Sequence, residues 1–337
     1  MSRNNIRLGD IANKLGLSEA TVSLALNNKP GVNEKTREKV TEYAIEMGYI
    51  PNVLAQGLAG QKSGMIGIVI PNLDNYFYCN LAKKLEACVK LKGYNIMIAT
   101  SENDIETERK VIERFISYHM EGILILPTNN DKCSLDVLLQ HDIPCVSCGS
   151  FYTNLNISYV VSDLKKGSHE LIKTLLSQGR ERIALLGGQL KTPMIKKRLE
   201  GIELAYKKCG ASFELFQFYP TIESTFEMAY EETKKLIAAG KQLEVIIAMN
   251  DYMALGVLKA LTDMGIKVPE DMMIAEYDDA VMVEMASTPI TSVAQDTDIM
   301  SQKITDILFQ KIAGKSDELI QIEVDTHLIL RRSTQIR

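Results

Sequence analysis

Two groups of side chains in this 337-residue chain have the types and spacing of a recognition surface. The first group combines short hydrogen-bonding side chains with one acid and one alanine. Its members are Ser18, Glu19, Ala20, Thr21, Ser23 and Asn27. Short polar side chains bond phosphates and fix the register of a protein on DNA. Glu19 can accept from a cytosine amino group and Ala20 can touch a thymine methyl, although an acid that only favours the N-terminus of a helix is an equal alternative for Glu19.

The second group consists of polar side chains that follow predicted strands. Asn250 and Asp251 follow the apolar run 245–248, and Asp278 follows the run 273–275. In parallel α/β sheets, ligands bind beyond the carboxyl ends of the strands. These residues therefore predict a small-molecule pocket.

The patterns of common enzyme and metal sites are incomplete in this sequence. Residues 314–316 read Gly-Lys-Ser like the end of a P-loop, but Phe309 occupies the position of the required earlier glycine. Cys145 and Cys148 form a lone pair without a second pair, so a metal or redox role is only a minor alternative to plain loop cysteines. The four histidines share no metal-ligand spacing. The sequence therefore predicts no catalysis, no metal and no cofactor.

Three bursts of apolar residues at helical spacing occupy residues 8–47 and must position the first group. Gly16 ends the first burst, and Ser18 and Asn33 are good N-caps for the second and third. Three short helices with a tight turn between the first two predict a helix-turn-helix, although a plain three-helix cap has the same pattern. Phosphate contacts are expected from basic side chains of the third helix, Lys35, Arg37 and Lys39.

Past Pro51 the pattern changes to short apolar runs that alternate with amphipathic helices, and this part must position the second group. Such runs include residues 65–70, 122–126 and 183–186. The alternation predicts an α/β fold of doubly wound parallel sheets. Because about 270 residues is long for one sheet, two similar lobes with a cleft between them are expected.

Composition is that of an ordinary soluble protein, with 46% hydrophobic residues, 24% charged residues and a net charge of −5. The charge is unevenly divided: residues 1–62 hold eight basic and six acidic side chains, and the remainder holds thirty basic and thirty-seven acidic. DNA contact is therefore expected only from the first segment. The N-terminus has no apolar signal region, and the apolar runs are shorter than the about 20 residues that span a membrane. We expect a cytoplasmic protein with no membrane partner.

Four strings stand in the first part of the chain: Gly-Leu-Ser at 16–18, Ala-Thr-Val-Ser at 20–23, Val-Asn-Glu-Lys-Thr-Arg-Glu-Lys-Val at 32–40, and Gly-Tyr-Ile-Pro-Asn at 48–52. Together they resemble the headpiece of the LacI/GalR family of bacterial transcription regulators, and the similarity continues along nearly the whole chain. The resemblance implies a homodimer that binds a pseudo-palindromic DNA operator, usually as a repressor. It also implies a small-molecule effector, a sugar or sugar derivative, in a two-lobed periplasmic-binding-protein-like core.

The family has a hinge helix that inserts into the minor groove, and residues 52–60 match it. The resemblance implies that Leu58 is the apolar wedge, with Ala55 beside it and Asn52 near the DNA backbone. The whole set of DNA-binding residues is then Ser18, Glu19, Ala20, Thr21, Ser23, Asn27, Asn33, Lys35, Thr36, Arg37, Tyr49, Asn52, Ala55 and Leu58.

For the core, the resemblance implies effector contacts from six residues: Phe77, Tyr78, Arg198, Asn250, Asp251 and Asp278. A place in the core of the next helix is the alternative for Phe77 and Tyr78, and structural roles are the alternative for Asp163 and Gln295, which fit the same pattern. The expected domains are the headpiece (1–50), the hinge helix and linker (51–62) and the core (63–337). Within the core, the N-lobe is expected at about 63–161 and 292–321, and the C-lobe at about 162–291 and 322–337.

Several positions depart from the family pattern. Leu24 stands where many members carry a base-reading Arg, and Arg7 stands where a Thr usually caps the first helix. Gly149 falls where many sugar-binding members have an Asp, and Glu-Tyr-Asp at 276–278 replaces the usual Gly-Phe-Asp. The operator sequence and the effector therefore cannot be copied from other members.

Two other functions share the two-lobed core. One is a cytoplasmic sugar-binding or sugar-processing α/β protein without regulatory DNA binding, and the other is a free-standing sugar-binding protein of the periplasmic type. The headpiece strings argue against both, and the missing signal region argues against the second.

Overall fold

The computed structural model describes residues 6–49, 62–128, 132–149, 157–188, 190, 192–315 and 318–335. The chain divides into two compact units, residues 1–63 and 64–337, which we call the headpiece and the core. The predicted hinge contacts Asn52, Ala55 and Leu58 lie outside the described residues. None of the helices in the described ranges has both the length and the apolar character needed to span a membrane.

The described part of the headpiece is a bundle of three helices, α1 (Leu8–Leu15), α2 (Glu19–Leu26) and α3 (Glu34–Glu46). Their ends follow local signals. Gly16 ends α1 with a φ of 66°, Ser18 Oγ accepts from the Thr21 N–H at 3.1 Å, and Asn33 Oδ1 accepts from the Thr36 N–H at 2.8 Å. The buried apolar residues of the bundle are Ile11, Ala12, Val22, Ala25, Val40 and Ala44. The predicted helix-turn-helix is confirmed.

The first lobe of the core is built on a six-stranded parallel sheet. Its strands are β1 (Met65–Ile70), β2 (Asn95–Thr100), β3 (Gly122–Ile125), β4 (Cys145–Cys148), β5 (Ser158–Ser162) and β11 (Gln321–Val324). Its helices are α4 (Tyr76–Leu91), α5 (Ile105–Ser117), α6 (Lys132–Gln140) and α12 (Thr297–Ile312). The strand order is β11-β5-β4-β3-β1-β2, so β2 and β11 are the edges.

The second lobe repeats this plan. Its strands are β6 (Ile183–Leu186), β7 (Gln217–Tyr219), β8 (Val245–Ala248), β9 (Met273–Asp278), β10 (Thr291–Gln295) and β12 (Thr326–Ile329). Its helices are α7 (Leu164–Ser177), α8 (Pro193–Cys209), α9 (Phe226–Ala238), α10 (Asp251–Asp263) and α11 (Val281–Glu284). The order is β12-β10-β9-β8-β6-β7, and only β12 runs antiparallel to its neighbour. The predicted pair of doubly wound α/β lobes is confirmed.

The lobe boundaries differ from those expected from the sequence. β10 pairs with β9 and β12, so residues 292–295 belong to the second lobe. β11 pairs with β5, so residues 322–324 belong to the first. Strand pairing joins residues far apart in sequence, and the periodicity of a short strand does not say which sheet it joins.

The first sheet is buried on both faces, and this separates the two strand cysteines. Cys148 belongs to the apolar cluster under α4 and α12, whereas Cys145 belongs to the cluster under α5 and α6. Residues three apart on a strand point to opposite faces of a sheet. Cys145 and Cys148 therefore cannot form a shared metal or redox site, and they are packing residues.

Candidate functional site

The outer face of α2 presents the side chains that the sequence assigns to DNA. Glu19 and Ala20 are exposed, Thr21 and Ser23 are partly exposed, and Val22 is buried in the headpiece cluster. Burial of the apolar face fixes the helix, so the polar face keeps a constant register toward solvent. A helix-turn-helix needs such a surface to enter a major groove.

Several of these polar side chains also hold the ends of α2. The Ser18 and Thr21 hydroxyls lie 2.8 Å apart, and Asn27 Nδ2 donates to the Ser23 carbonyl at 2.8 Å. A β-carbon built on Gly9 would lie 2.7 Å from Glu19 Oε1, so the Glu19 side chain lies over the start of α1. This conformation fits the helix-terminus alternative for Glu19, and a base contact requires the side chain to swing outward.

Arg37 faces the interior of the headpiece, contrary to the expectation of a free phosphate contact. Its guanidinium donates to the carbonyls of Ala25 at 3.2 Å, Lys29 at 3.0 Å and Val32 at 3.4 Å. These bonds tie α3 to the end of α2 and the turn that follows. Lys35 is exposed on the same helix and keeps its charge available for phosphate.

The remaining predicted DNA contacts of the headpiece also bond or pack within the headpiece itself. Asn33 and Thr36 form the N-cap of α3, and Tyr49 packs against the apolar cluster, where burial raises its pKa. Arg7 replaces a capping Thr, and the helix begins because the Arg7 N–H donates to Asp10 Oδ2 at 2.7 Å. Asp10 therefore caps the start of α1, where the usual capping Thr is replaced by Arg7.

Side chains from both lobes meet beyond the carboxyl ends of β1 and β9. Tyr78, on α4 of the first lobe, has its pKa raised to about 12 by burial and by the Asp278 charge, while the Arg198 charge acts in the opposite direction. Electrostatic coupling weakens with distance, so a phenol that responds to both groups lies opposite them. Tyr78, Arg198 and Asp278 are therefore near one another where the two lobes face each other, and we call their surroundings the candidate pocket.

Phe77 lies in the apolar core of the first lobe and not in this pocket. Its side chain is 7% exposed and belongs to the cluster under α4 and α12. Its ring meets the Tyr78 ring edge to face, with centroids 6.0 Å apart. Of the two predicted effector contacts on α4, Phe77 has the alternative core role and packs against Tyr78, which faces Arg198 and Asp278.

Arg198 supplies a nearly buried cation to the pocket, with 6% of the residue exposed. Nη1 donates to the Met249 carbonyl at 3.2 Å, and the guanidinium carbon lies 3.9 Å from the centroid of the Tyr277 ring. Nε has no hydrogen-bond partner within the described part of the chain. A guanidinium held in this way retains donors for hydroxyl or carboxylate oxygens.

Asp278 supplies the opposing acceptor at the end of β9. Gln295 Nε2 donates to Asp278 Oδ1 at 2.5 Å, so Gln295 has a pocket role. Burial raises the pKa of Asp278, whereas Arg198 and Gln295 favour its ionised form. Asp278 and Asp279 have φ values of 101° and 62°, and strain of this kind, about 1–3 kcal/mol per residue, concentrates at functional sites. Arg331 Nη1 holds Asp279 Oδ1 at 2.6 Å.

Asn250 and Asp251 build the wall next to Asp278. Asn250 Oδ1 caps α10 by accepting from the Met253 N–H at 3.0 Å, and its Nδ2 donates to the Ser224 carbonyl at 3.2 Å. Asp251 Oδ1 accepts from the Ala280 N–H at 2.5 Å. Burial, and then the Asp278 charge, raise the pKa of Asp251 to about 8. Both side chains therefore already hold the backbone around the pocket.

Glu276 lies behind this wall. The residue is 0% exposed, and burial, followed by the Asp251 charge, raises its pKa well above the usual value. The departure from Gly at this position therefore adds a fully buried acid behind the wall, where burial favours its neutral form. Asp163 is structural, because it caps α7 through the Lys166 N–H at 2.9 Å.

The sequence patterns missed Tyr277 and Ser168, which lie under Arg198. The Tyr277 and Ser168 hydroxyls lie 2.7 Å apart, and both residues are fully buried. The Tyr in place of the usual Phe was the sequence signal for this pair, because a buried hydroxyl needs a hydrogen-bond partner. Among the described residues, no group of three or more His, Cys, Asp or Glu side chains is arranged to hold a metal ion.

Comparisons with known proteins agree with both units. Residues 7–52 match the model of bacterial regulatory proteins of the lacI family, and residues 172–334 match a periplasmic binding protein-like domain. The chain is 30% identical over 328 residues to the HTH-type transcriptional regulator DegA of Bacillus subtilis strain 168, covering 96% of this chain and 97% of that protein.

Two solved structures show the same fold along nearly the whole chain. The lac repressor dimer bound to operator and the anti-inducer ONPF has a TM-score of 0.87 at 23% identity, with 99% of this chain and 100% of that chain covered. The complex of the transcriptional regulator CelR with cellobiose has a TM-score of 0.73 at 25% identity, with 97% and 99% covered.

Proposed function

This chain belongs to the lacI family of bacterial DNA-binding transcription regulators, and we propose that an uncharged sugar or sugar derivative, bound between its lobes, controls its affinity for an operator. The observation that carries the proposal is the meeting of Tyr78 from the first lobe with Arg198 and Asp278 from the second. A ligand that touches both lobes stabilises one relative arrangement of them. Such differential stabilisation is what couples binding at one site to affinity at another.

The chemistry of the pocket favours a neutral, hydroxyl-rich ligand. Sugar hydroxyls both donate and accept, so they can donate to Asp278 and accept from Arg198. A phosphate group would meet one guanidinium but also the carboxyl group of Asp278, which disfavours a dianion. Asn250 and Asp251 contribute as the wall that holds Asp278. The cellobiose complex of CelR is consistent with this class of ligand.

DNA recognition is assigned to the exposed face of α2. Ser18, Glu19, Ala20, Thr21, Ser23 and Asn27 face solvent wholly or in part, and the exposed Lys35 adds charge near the phosphates. Asn52, Ala55 and Leu58 complete the interface as the hinge contacts, with residues 1–50 as the reader and 51–62 as the hinge. Binding of this unit to DNA leads to repression in the proposed mechanism.

A two-fold homodimer presents two headpieces to a pseudo-palindromic operator. The core exposes apolar side chains suited to such an interface. Met97 and Ile98 are exposed on the edge strand β2, and Ile222 and Met285, after β7 and α11, are 84% and 79% exposed. Edge strands and apolar surface of this kind are usually covered by a partner.

The protein acts in the cytoplasm by binding and release, without turnover of the sugar. The similar protein DegA is named as an HTH-type transcriptional regulator, which supports this proposal. Lobe closure around the sugar changes the spacing of the two headpieces in the dimer, and this spacing sets operator affinity.

A thermal-shift screen of the purified full-length chain tests the proposal. The panel contains neutral mono- and disaccharides, including ribose and cellobiose, each beside its phosphate ester. We expect a neutral sugar to raise the melting temperature of the core, to be recovered unchanged, and to alter affinity for an operator selected from random DNA. A phosphate ester as the tightest ligand, or turnover of the bound sugar, would overturn the proposal. The Asp278→Asn variant should lose the shift while the headpiece still melts as in the wild type.

A further inference from the structure

We propose that Tyr277 is a positioning residue, which holds the Arg198 guanidinium in its pocket orientation before the effector arrives and is itself fixed by Ser168. The inference rests on the proposed function, because it assigns Arg198 to the effector. It concerns a side chain that reaches no ligand and acts only through its neighbour.

The contact between Arg198 and Tyr277 is made across the face of the ring. The guanidinium carbon lies 3.9 Å from the ring centroid, and Tyr277 is 0% exposed. A cation over an aromatic face is attracted by the negative charge density of the ring, most strongly where water is excluded. The Met249 carbonyl anchors Nη1 of the same guanidinium. Ring and carbonyl together restrict the head group of a side chain that is otherwise flexible.

The orientation of the ring is fixed from behind by a hydroxyl pair. Tyr277 Oη and Ser168 Oγ lie 2.7 Å apart, and Ser168 is 0% exposed. Without Ser168 the phenol would be a buried hydroxyl that lacks this partner, which costs free energy. The family's usual Phe at this position could not make this bond, because it has no hydroxyl.

The two helices that carry Ser168 and Arg198 are locked to each other. A β-carbon built on Gly201 of α8 would lie 2.1 Å from the Lys165 carbonyl oxygen of α7, so the two backbones touch one turn from Arg198. Any residue other than Gly at 201 would push the helices apart. Ser168 and Arg198 therefore sit on two helices whose spacing is fixed, and the Tyr277 side chain lies against both of them.

Restricting Arg198 in advance lowers the conformational entropy that binding must remove. An arginine side chain loses rotamer freedom when it is immobilised, and a pre-ordered one loses less on binding. Removal of the ring face should therefore weaken effector binding without removing any ligand contact. Removal of the hydroxyl alone should have a smaller effect, because the ring remains.

The first arm of the test needs no ligand. The ¹⁵N relaxation of the Arg198 Nε–Hε group, assigned by its loss in Arg198→Gln, is measured in the free full-length protein. We expect a rigid side chain in the wild type and in Tyr277→Phe, with an order parameter above about 0.8, and a mobile one in Tyr277→Leu, below about 0.6. An Arg198 side chain that stays rigid in Tyr277→Leu overturns the inference, whatever the effector is.

The second arm measures affinity by calorimetry with ribose and cellobiose as the probes. Tyr277→Leu should bind a probe about tenfold more weakly than the wild type, and Tyr277→Phe should stay within about twofold. In the Arg198→Gln background, Tyr277→Leu should cause no further loss, because a residue that acts through Arg198 has no effect without it. If Tyr277→Leu weakened probe binding by the same factor in both backgrounds, Tyr277 would be only a core residue.

Tyr206→Leu is the matched control. Tyr206 is also 0% exposed and lies on α8, and its hydroxyl donates to the Glu181 carbonyl at 2.5 Å. The Tyr206→Leu variant should have a lower melting temperature, as Tyr277→Leu does, but its probe affinity and Arg198 relaxation should be unchanged. If Tyr277→Leu does not fold, Tyr277→Met, which also removes the ring face, takes its place, with a mobile Arg198 as the expected result and unchanged rigidity as the contrary one. Absence of binding to any sugar in the wild type would count against the proposed function and leave the relaxation arm decisive for Tyr277.

Discussion

The two recognition surfaces of this chain hold their polar side chains in opposite ways. On α2 the polar groups stand in solvent, and all six acidic side chains of residues 1–62 are exposed. In the pocket between the lobes and the wall behind it, Arg198, Asp251 and Glu276 are nearly or fully buried. The headpiece is thus a small scaffold with an adaptable surface, whereas the pocket is a rigid arrangement whose groups are fixed before a ligand binds.

The two surfaces differ in this way because they bind different kinds of partner. A DNA-reading helix meets a hydrated and charged partner, and its side chains can exchange water for phosphate or base contacts. A small ligand offers few contacts, so its site must be ordered in advance to bind with useful affinity. The cost appears in the core as buried carboxyl groups and positive φ angles at Asp278 and Asp279.

The largest expected effect tests the burial of Glu276. Its pKa in the folded protein is raised well above 4.5 by burial, whereas the unfolded chain ionises it near the usual value. Unfolding therefore releases a proton, so the core loses stability as the pH rises from about 4.5 to the folded pKa, by about 1.4 kcal/mol per pH unit for each such proton. Urea unfolding of the core at several pH values should show this slope reduced by one proton in Glu276→Gln.

Asp251 and the headpiece supply the comparison for that experiment. Asp251, with its pKa raised to about 8, and Asp278, whose pKa burial also raises, act in the same direction, so part of the slope should persist in Glu276→Gln and fall further when Asp251→Asn is added. The headpiece transition in the same samples provides the reference with exposed acids. An unchanged slope in Glu276→Gln would mean that Glu276 is ionised in the folded core.

The sequence predicted the structure of a region well where residues close in sequence determine it. The ends of the headpiece helices follow from Gly16, Ser18 and Asn33, each of which acts within four residues of itself. The pocket depends on contacts between distant segments, and periodicity cannot say that Phe77 faces the core while the adjacent Tyr78 faces the cleft. Even in the headpiece, the sequence did not show that Arg37 bonds to carbonyls five to twelve residues away.

The second prediction concerns that arginine. Arg37→Ala removes three hydrogen bonds to carbonyls and should destabilise the headpiece by about 2–3 kcal/mol, because the freed carbonyl groups are partly buried. The headpiece transition should move to lower temperature by circular dichroism, and the core transition should not move. Arg37→Lys should restore little, because an ammonium cannot span three carbonyls as the planar fork does.

Lys35→Ala is the matched control for Arg37. Lys35 is exposed, so its removal should change headpiece stability by less than about 0.5 kcal/mol and lower the salt dependence of operator binding by about one unit of slope. If Arg37→Ala lowered the salt slope in the same way and left the headpiece melting unchanged, Arg37 would be a phosphate contact after all.

The smallest effect compares the same chemical change in both regions. Ser18 Oγ caps α2 at 3.1 Å, and Thr225 Oγ1 caps α9 by accepting from the Met228 N–H at 3.2 Å. Ser18→Ala and Thr225→Ala should each cost about 1 kcal/mol. The unfolding entropy grows with chain length, so this loss should lower the melting temperature of the headpiece by about 4–8 °C and that of the larger core by about 2 °C. Differential scanning calorimetry resolves the two shifts. Equal shifts would mean that the headpiece and the core melt as one cooperative unit. The contrast between a marginally stable headpiece and a rigid core would then be wrong.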